Sequence, residues 1–402
     1  MELKRIFKPS TPTNDPDLFR GRGEQIGRSL RTIDEPGRHG VIFGERGVGK
    51  TSLAYVVRQL SALQRDGVAF GVRLQCASNE SFEDIWRRLP YRLEEELESK
   101  DWLSERQVQE IVGSVSEAFI GSNTSPDDVA RALRKATSLA PAVIIVDEFD
   151  RISGGDVATD FSDLIKAISD EDLACTLLLV GVADSLEQLI EGHHSVERAL
   201  QQILMPRMTN AELESIVSRG FEAFERRTSA RIDIDKKATR AVVNLSQGFP
   251  YYTHLLAGAL GEQAIISGSM RVSFKDVFSA LLTATEEASH TIKQTYADAT
   301  GSTRKDATFS QTLLACAMAD LDDVGFFAPG DVAAPLSTIA RQPRNTSNFI
   351  THLKRFSSDK RGILETRGDG RRTRYRFRDP LMKPFVLMKG IRDGVIDIPQ
   401  DG

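Results

Sequence analysis

Apolar residues are distributed in two different ways along the chain. Up to about residue 205, short, near-continuous apolar runs alternate with segments of helical spacing. The runs are Val41-Ile42-Phe43, Val68 to Cys76, Ala142 to Val146 and Thr176 to Val182, and the helical segments include Ser52 to Leu63 and Phe161 to Ile168. The runs are rich in Val, Ile and Leu, bounded by Gly, Pro or Asp, and too short for helices, so they predict strands. Strands apolar on both faces and separated by helices predict a parallel sheet covered on both sides. Ahead of this α/β core, residues 1–16 are rich in Pro, Thr and Asp and read as an irregular arm.

Past residue 205 the strand signal stops. Thr209-Asn210-Ala211-Glu212 has the form of a capping box and opens a helix towards Arg227. Helical patterns continue over Asp235 to Leu245, Tyr251 to Ile266 and Ser273 to Tyr296, with breaks at Gly248-Phe249-Pro250 and Gly268. From about residue 301 three further helices follow, Phe309 to Ala319, Pro329 to Ala340 and Thr346 to Phe356. Two strand-like runs then flank Arg367-Gly368-Asp369-Gly370. Asp-Gly between such runs signals a hairpin, and three helices followed by a hairpin is the winged-helix arrangement. The pattern therefore predicts an arm (1–16), an α/β core (17–205), an all-helical domain (206–300) and a winged-helix domain (301–402).

Composition changes this picture only where it is local. The 402 residues carry a net charge of −5, which argues against a uniformly basic nucleic-acid or membrane-surface protein. Between Arg341 and Arg378, however, twelve Lys or Arg face Asp359, Glu365 and Asp369, a local +9 that leaves −14 for the rest. The three cysteines, Cys76, Cys175 and Cys316, are too far apart for a C-x-x-C site and read as buried packing residues in a reduced compartment. The N-terminus has no apolar core of signal-peptide length, and no window approaches the roughly 18 apolar residues of a membrane helix, so a cytoplasmic location is expected. The acidic stretch from Ser81 to Thr137, including Glu94-Glu95-Glu96, is larger than a strand connection needs and reads as a solvated helical face.

Chemistry concentrates after the first predicted strand. Gly44-Glu45-Arg46-Gly47-Val48-Gly49-Lys50-Thr51 fits G-x-x-x-x-G-K-[ST] between that strand and the helix opened by Ser52. Its glycines let consecutive N–H groups and the helix N-terminus face a phosphate chain. Lys50 is then placed to contact the β- and γ-phosphates of ATP, and Thr51 to offer a hydroxyl to Mg2+. The run Ala142 to Val146 delivers Asp147 and Glu148 to a strand's carboxyl end, where ligands bind in open α/β sheets. Asp147 suits Mg2+ and Glu148 suits a general base for water. An adjacent acidic pair favours hydrolysis over a kinase reaction.

These motifs together resemble those of the AAA+-related STAND ATPases and Orc-type replication initiators. Phe19-Arg20-Gly21-Arg22-Gly23-Glu24 looks like the box that packs near adenine in those proteins, and Asp147-Glu148-Phe149-Asp150-Arg151-Ile152 is similar to their Walker B segment. Ser246-Gln247-Gly248-Phe249-Pro250 resembles the G-x-P motif of the STAND helical lid. The resemblance implies an ATP-binding and ATP-hydrolysing switch that forms homo-oligomers, with Arg22 and Pro250 near the nucleotide. It also implies an arginine finger reaching a neighbouring subunit, for which Arg198 and Arg207 stand in suitable positions, while Arg46 is placed to touch phosphate or a neighbour. The sequence departs from the pattern at the γ-phosphate sensor, where Asp184 and Ser185 stand. It departs again in the lid, where Tyr251-Tyr252-Thr253-His254 offers no arginine, and this favours the STAND side of the resemblance.

In the second strand of the hairpin Arg372, Arg374, Arg376 and Arg378 alternate with Thr373, Tyr375 and Phe377, so guanidiniums line one face. With Arg367, Arg371, Lys354 and Arg355 they form a footprint suited to double-stranded DNA. Thr346, Ser347, Asn348, Thr351 and His352 are the polar residues on the helix that would enter a groove. Two readings follow. In one, the chain is an ATP-dependent switch that uses its basic hairpin on DNA, in replication, transposition control or phage defence. In the other, it is a STAND-like signalling ATPase whose winged helix docks a protein partner.

Overall fold

In the computed structural model of the protein, all residues are described except 1, 14, 20, 65–67, 122, 153–154, 184–195, 197, 302–307, 323–324, 359–361 and 400–402. The chain divides into two compact units. One is Thr11–Arg207, and the other joins Met1–Ser10, which carries the first helix α1 (Glu2–Ile6), to Met208–Gly402.

In Thr11–Arg207 the apolar runs become β1 (His39–Gly44), β2 (Phe70–Gln75), β3 (Ala142–Asp147) and β4 (Cys175–Val182), and a fifth strand, β5 (Leu200–Leu204), joins them. Their order is β2-β3-β4-β1-β5 and every pairing is parallel. The strand β5 was not among those expected. It lies at the sheet edge and buries only Leu200 and Ile203, so it leaves no unbroken apolar run.

The helices of this unit are α2 (Gly23–Asp34), α3 (Lys50–Gln64), α4 (Phe82–Trp86), α5 (Leu89–Leu97), α6 (Glu105–Glu117), α7 (Pro126–Ala136) and α8 (Gly155–Asp170). The acidic stretch between β2 and β3 is not merely a solvated face. Capping boxes at Ser81, Ser104 and Ser125 start α4, α6 and α7. The inner faces bury Trp86, Leu89, Leu93, Val108 and Val115 in the core against the sheet. Phe82 and Phe149 meet Phe161 edge-on at 5.2 and 4.9 Å between centroids, contacts worth about 1 kcal/mol each beyond area burial.

The other unit contains α9 (Asn210–Thr228), α10 (Lys236–Ser246), α11 (Pro250–Ser267), α12 (Val277–Glu287), α13 (His290–Thr300), α14 (Phe309–Met318), α15 (Ala333–Ala340), α16 (Ile350–Phe356) and α17 (Met382–Arg392). The capping box is formed: Glu212 N donates to Thr209 Oγ1 at 3.3 Å and Thr209 N to Glu212 Oε2 at 2.8 Å. Two short parallel strands, β6 (Asp233–Ile234) and β7 (Arg271–Val272), pair beside these helices. The antiparallel hairpin consists of β8 (Leu364–Arg367) and β9 (Arg374–Phe377).

Three expectations are corrected here. The helix predicted over Ser273 to Tyr296 breaks at Ser289, whose hydroxyl caps α13. The first residues are not an irregular arm, because α1 buries Leu3, Ile6 and Phe7 within this unit. Gly220 and Gly261, inside α9 and α11, make that possible. A Cβ on Gly220 would lie 2.2 Å from the Phe7 ring, and one on Gly261 would lie 2.8 Å from Leu3. Finally, Gly370–Arg372 forms a turn of 3-10 helix and the second hairpin strand ends at Phe377, so Arg372 precedes that strand and Arg378 follows it instead of lying in it.

All three cysteines are buried and unpaired. No described helix is long and apolar enough to cross a membrane.

Two buried histidines tie stability to pH. His39 accepts from Leu177 N at Nδ1 over 3.0 Å, which puts its proton on Nε2, 3.2 Å from Ser169 Oγ. Burial lowers the pKa of both His39 and His254 from 6.5 to about 4. Both stay neutral when folded, whereas the unfolded chain takes up protons as the pH falls from 6.5 towards 4. Folding stability is therefore expected to fall through that window by about 1.4 kcal/mol per pH unit for each histidine. Denaturant titrations across it should show one such slope missing in His39→Gln. An unchanged slope would contradict the assignment.

Candidate functional site

The G-x-x-x-x-G-K-[ST] segment leaves the end of β1, the fourth strand of the sheet order, and enters α3. Its glycines have conformational work to do. Gly44, Gly47 and Gly49 adopt φ of 144°, 85° and 96°, and a Cβ on Gly44 would lie 2.4 Å from the Met205 carbonyl oxygen. Val48 is buried beneath the loop, while Arg46 is exposed at its tip. The Lys50 ammonium folds back over the loop, donating to the carbonyls of Gly44 at 3.0 Å and Glu45 at 2.7 Å. Burial pulls its pKa down to about 8, against the opposing pull of Asp150, Asp147 and Glu45. The Ser52 hydroxyl accepts from Thr13 N at 3.2 Å.

Facing the loop, β3 presents Asp147, only 2% exposed. Its Oδ1 accepts from Thr51 Oγ1 at 3.2 Å and from Glu148 N at 2.9 Å. Its Oδ2 accepts from Arg73 Nε and Nη2 at 3.0 and 2.8 Å. Glu148 sits in the left-handed region at φ 57°, a conformation uncommon for a non-glycine residue. Its carboxylate accepts from Gln75 Nε2 at 2.8 Å and pairs with Arg151 at 3.3 Å.

Arg73 and Gln75 hold the two acids and lie outside the motifs. Both lie on β2, which pairs with β3 so that Gln75 stands opposite Asp147. The signal was present: in Phe70-Gly71-Val72-Arg73-Leu74-Gln75 two polar residues occupy alternate positions of an otherwise apolar buried strand. Thr51 Oγ1 and Asp147 Oδ1 are adjacent hard oxygen donors and fit a small divalent cation such as Mg2+.

The remaining expected site residues are distributed as follows. Arg22 is buried and its Nη2 donates to Val48 O at 3.2 Å and Pro206 O at 2.7 Å, fastening the segment before α2 to the loop. Arg207 grips Glu45 within the loop through two bonds of 2.6 and 2.9 Å. Arg198 is exposed ahead of β5, and its carbonyl accepts from Arg38. Pro250 begins α11 in the other unit. Asp184 and Ser185 lie outside the described residues, as does Arg20.

In the hairpin, Tyr375 and Phe377 are buried while the arginines alternate outward. Arg374 pairs with Asp322 at 3.0 Å and Arg376 with Glu365 at 2.7 Å, and Arg376 also covers Phe326. Arg378 donates to Gly362 O at 2.9 Å. Arg355 lies over Phe309 at 4.0 Å and donates to Gly301 O. Lys354, Arg367 and Arg372 are exposed, and Arg371 stands beside them in the turn. Of the groove-facing residues, His352 is turned to Thr312 at 2.9 Å, whereas Thr351 is exposed.

Residues 33–190 match the family model described as an AAA domain. No curated protein matches the chain. Several solved structures are similar over nearly its whole length. The ORC2 protein of Aeropyrum pernix, solved as ADPNP–ADP complexes, has a TM-score of 0.55 at 15% identity, covering 98% of this chain and 97% of its own. The ORC1 protein of the same organism, in complex with DNA, has 0.50 at 14% identity with 97% of each chain covered. A Walker-type ATPase of Pyrococcus abyssi has 0.55 at 14%, covering 95% and 99%. At these identities the likeness is one of fold, and the parallel five-stranded sheet with its flanking helices matches a P-loop NTPase core.

The buried Asp147 carboxylate and Arg73 should be coupled energetically. Arg73→Gln strands a buried charge and is expected to cost about 3 kcal/mol in denaturant unfolding. Asp147→Asn should cost less because Arg73 is 30% exposed. The double substitution should recover most of the loss, and additive losses would show that the pair is not coupled.

Proposed function

We propose that the chain is an AAA+ ATPase of the Orc-like type that binds and slowly hydrolyses ATP with Mg2+, and that it carries its basic hairpin to DNA. The observation that carries the nucleotide reading is the convergence of Lys50, Thr51, Asp147 and Glu148 at one loop mouth, with Thr51 and Asp147 in direct contact. The AAA-domain match over residues 33–190 supports the same class.

On this reading the loop N–H groups and the N-terminus of α3 hold the phosphates. The Lys50 ammonium exchanges its two carbonyl contacts for phosphate oxygens. Thr51 and Asp147 would hold Mg2+, which when bound neutralises phosphate charge. Glu148 takes a proton from the attacking water, and Gln75 and Arg151 hold its carboxylate until it does so. Arg22 and Pro250 stand on the segments assigned to nucleotide contact. Arg198 is the better arginine finger, because Arg207 is engaged by Glu45 of the same chain. Oligomerisation follows from that assignment. We divide Met208–Gly402 into a helical lid to about residue 300 and a winged helix beyond it.

DNA is favoured over a protein partner by one feature of the hairpin. Arg367 and Arg374 are directly opposite each other across β8 and β9. Like charges in that relation destabilise a hairpin, and a polyanion bound along it relieves the repulsion. The complex of the ORC1 protein with DNA makes the comparison concrete for a chain of similar fold.

Lys50→Ala is expected to abolish ATP binding at the phosphate loop and with it hydrolysis, while Glu148→Gln keeps binding and loses turnover by about a hundredfold or more. Normal hydrolysis by Glu148→Gln would refute the base assignment. ATP affinity should weaken as the pH rises through about 8, where the free ammonium loses its proton, as read by titration with a fluorescent ATP analogue. Duplex DNA binding should fall steeply with salt, by about a thousandfold over a fourfold rise in concentration if six phosphates are contacted. Arg367→Ala with Arg372→Ala should weaken it further, and binding indifferent to both would favour the protein-partner reading.

A further inference from the structure

The acidic insertion between β2 and β3 leaves a cavity of about 480 Å³ along β2, the edge strand of the sheet, and none of its lining residues belongs to the phosphate loop. Five guanidiniums from four elements converge on it: Arg58 from α3, Arg73 from β2, Arg88 and Arg92 from the α4–α5 segment, and Arg151 after β3. No lysine lines it. Two lining residues, Glu95 and Glu96, are carboxylates, and Glu80, Asp147 and Glu148 reach the arginines from beside the cavity, so five carboxylates meet the five guanidiniums. The five side chains are between 30% and 50% exposed, so they are neither sealed in the core nor spread over open surface.

In the present arrangement each guanidinium is held by a carboxylate. Arg58 meets Glu96 at 3.4 Å, Arg88 meets Glu80 at 2.9 Å, Arg92 meets Glu95 at 2.7 Å and Arg151 meets Glu148 at 3.3 Å. Arg73 holds Asp147 and lies 5.6 Å over the Tyr55 ring. Carboxylates and phosphates present similar paired oxygens to a guanidinium, and Arg, unlike Lys, recognises both with its fixed fork. The volume lies in the range of small-molecule sites.

We propose that this cavity is a second anion site, separate from the phosphate loop, which takes a small ligand bearing a chain of phosphates. Phosphate oxygens replace Glu95 and Glu96 on Arg92 and Arg58, and the chain extends towards Arg88 and Arg73. Because Arg73 and Arg151 also hold Asp147 and Glu148, an occupant competes with the two catalytic-site acids for their partners. This goes beyond the nucleotide reading and stands on the cavity's own residues.

The test is titration of inorganic tripolyphosphate into the full-length Lys50→Ala chain by calorimetry, with ATP and a short single-stranded oligonucleotide titrated in parallel. Tripolyphosphate should bind with one site per chain, and adding Arg58→Gln with Arg92→Gln should weaken it by about tenfold or more. Arg88→Gln, a milder change in the same cavity, should weaken it in the same direction, and far-UV circular dichroism checks that each variant is folded. Equal affinity for ATP assigns the site to the phosphate chain alone, and tighter ATP binding assigns it to a nucleotide. Absence of binding to Lys50→Ala, binding unmoved by the arginine substitutions, or a clear preference for the oligonucleotide would overturn the proposal. Loss of ATP hydrolysis on Lys50→Ala, with tripolyphosphate still bound, tests the phosphate loop separately, so either site can fail without the other.

Discussion

A carboxylate removed from water must be matched by charge and hydrogen bonds, and Asp147 is the clearest case in this molecule. At 2% exposure it accepts from Thr51, from the Glu148 backbone and twice from Arg73. Those four bonds specify the surroundings. The first requires the helix after the phosphate loop to begin within reach of the end of β3. The second goes with the left-handed turn that swings Glu148 outward. The last two require a cation on β2, which the parallel register of β2 with β3 delivers. Losing the cation leaves a buried charge undercompensated, a penalty of about 3 kcal/mol, and losing a single hydrogen bond costs about 1–3 kcal/mol. The geometry that suits a metal and a water-activating base is therefore also what keeps this corner of the core folded.

Much of this was legible in the sequence because it is local. The phosphate loop, its glycines and the adjacent acids are each contained in a few consecutive residues, and four strands stand out as near-continuous apolar runs. What escaped notice was set by pairing between distant segments. Arg73 and Gln75 matter only because register places them beside Asp147 and Glu148, although two polar residues alternating in a buried strand were a usable signal. The strand β5 is half polar because it lies at an edge. The docking of α1 depends on Phe7 meeting Gly220 in a helix more than two hundred residues away, and a glycine inside α9 was its only trace. The acidic insertion has the solvated helical face its charges imply, and the periodicity of its Leu, Ile and Trp marks a second, buried face.

The basic segment has a more divided character than alternation implied. Arg374 and Arg376 are engaged by Asp322 and Glu365, which rigidifies the hairpin and removes part of its field. Arg367 and Arg372 are exposed at the turn, and Lys354 is exposed on α16. Of the like-charged pair across the strands Arg374 is offset by Asp322, and nearer the root Glu365 offsets Arg376. That combination suits a tip that meets phosphate and a root that packs on its own domain.

The proposed nucleotide site turns on Asp147 and Thr51 acting with a divalent cation. The most direct measurement is calorimetric titration of ATP into the full chain with Mg2+ and then with the cation removed by chelation. One ATP per chain, bound markedly more tightly with Mg2+ and losing that dependence in Asp147→Asn, is the expected result. Absence of ATP binding, or binding equally tight without the cation, would contradict it.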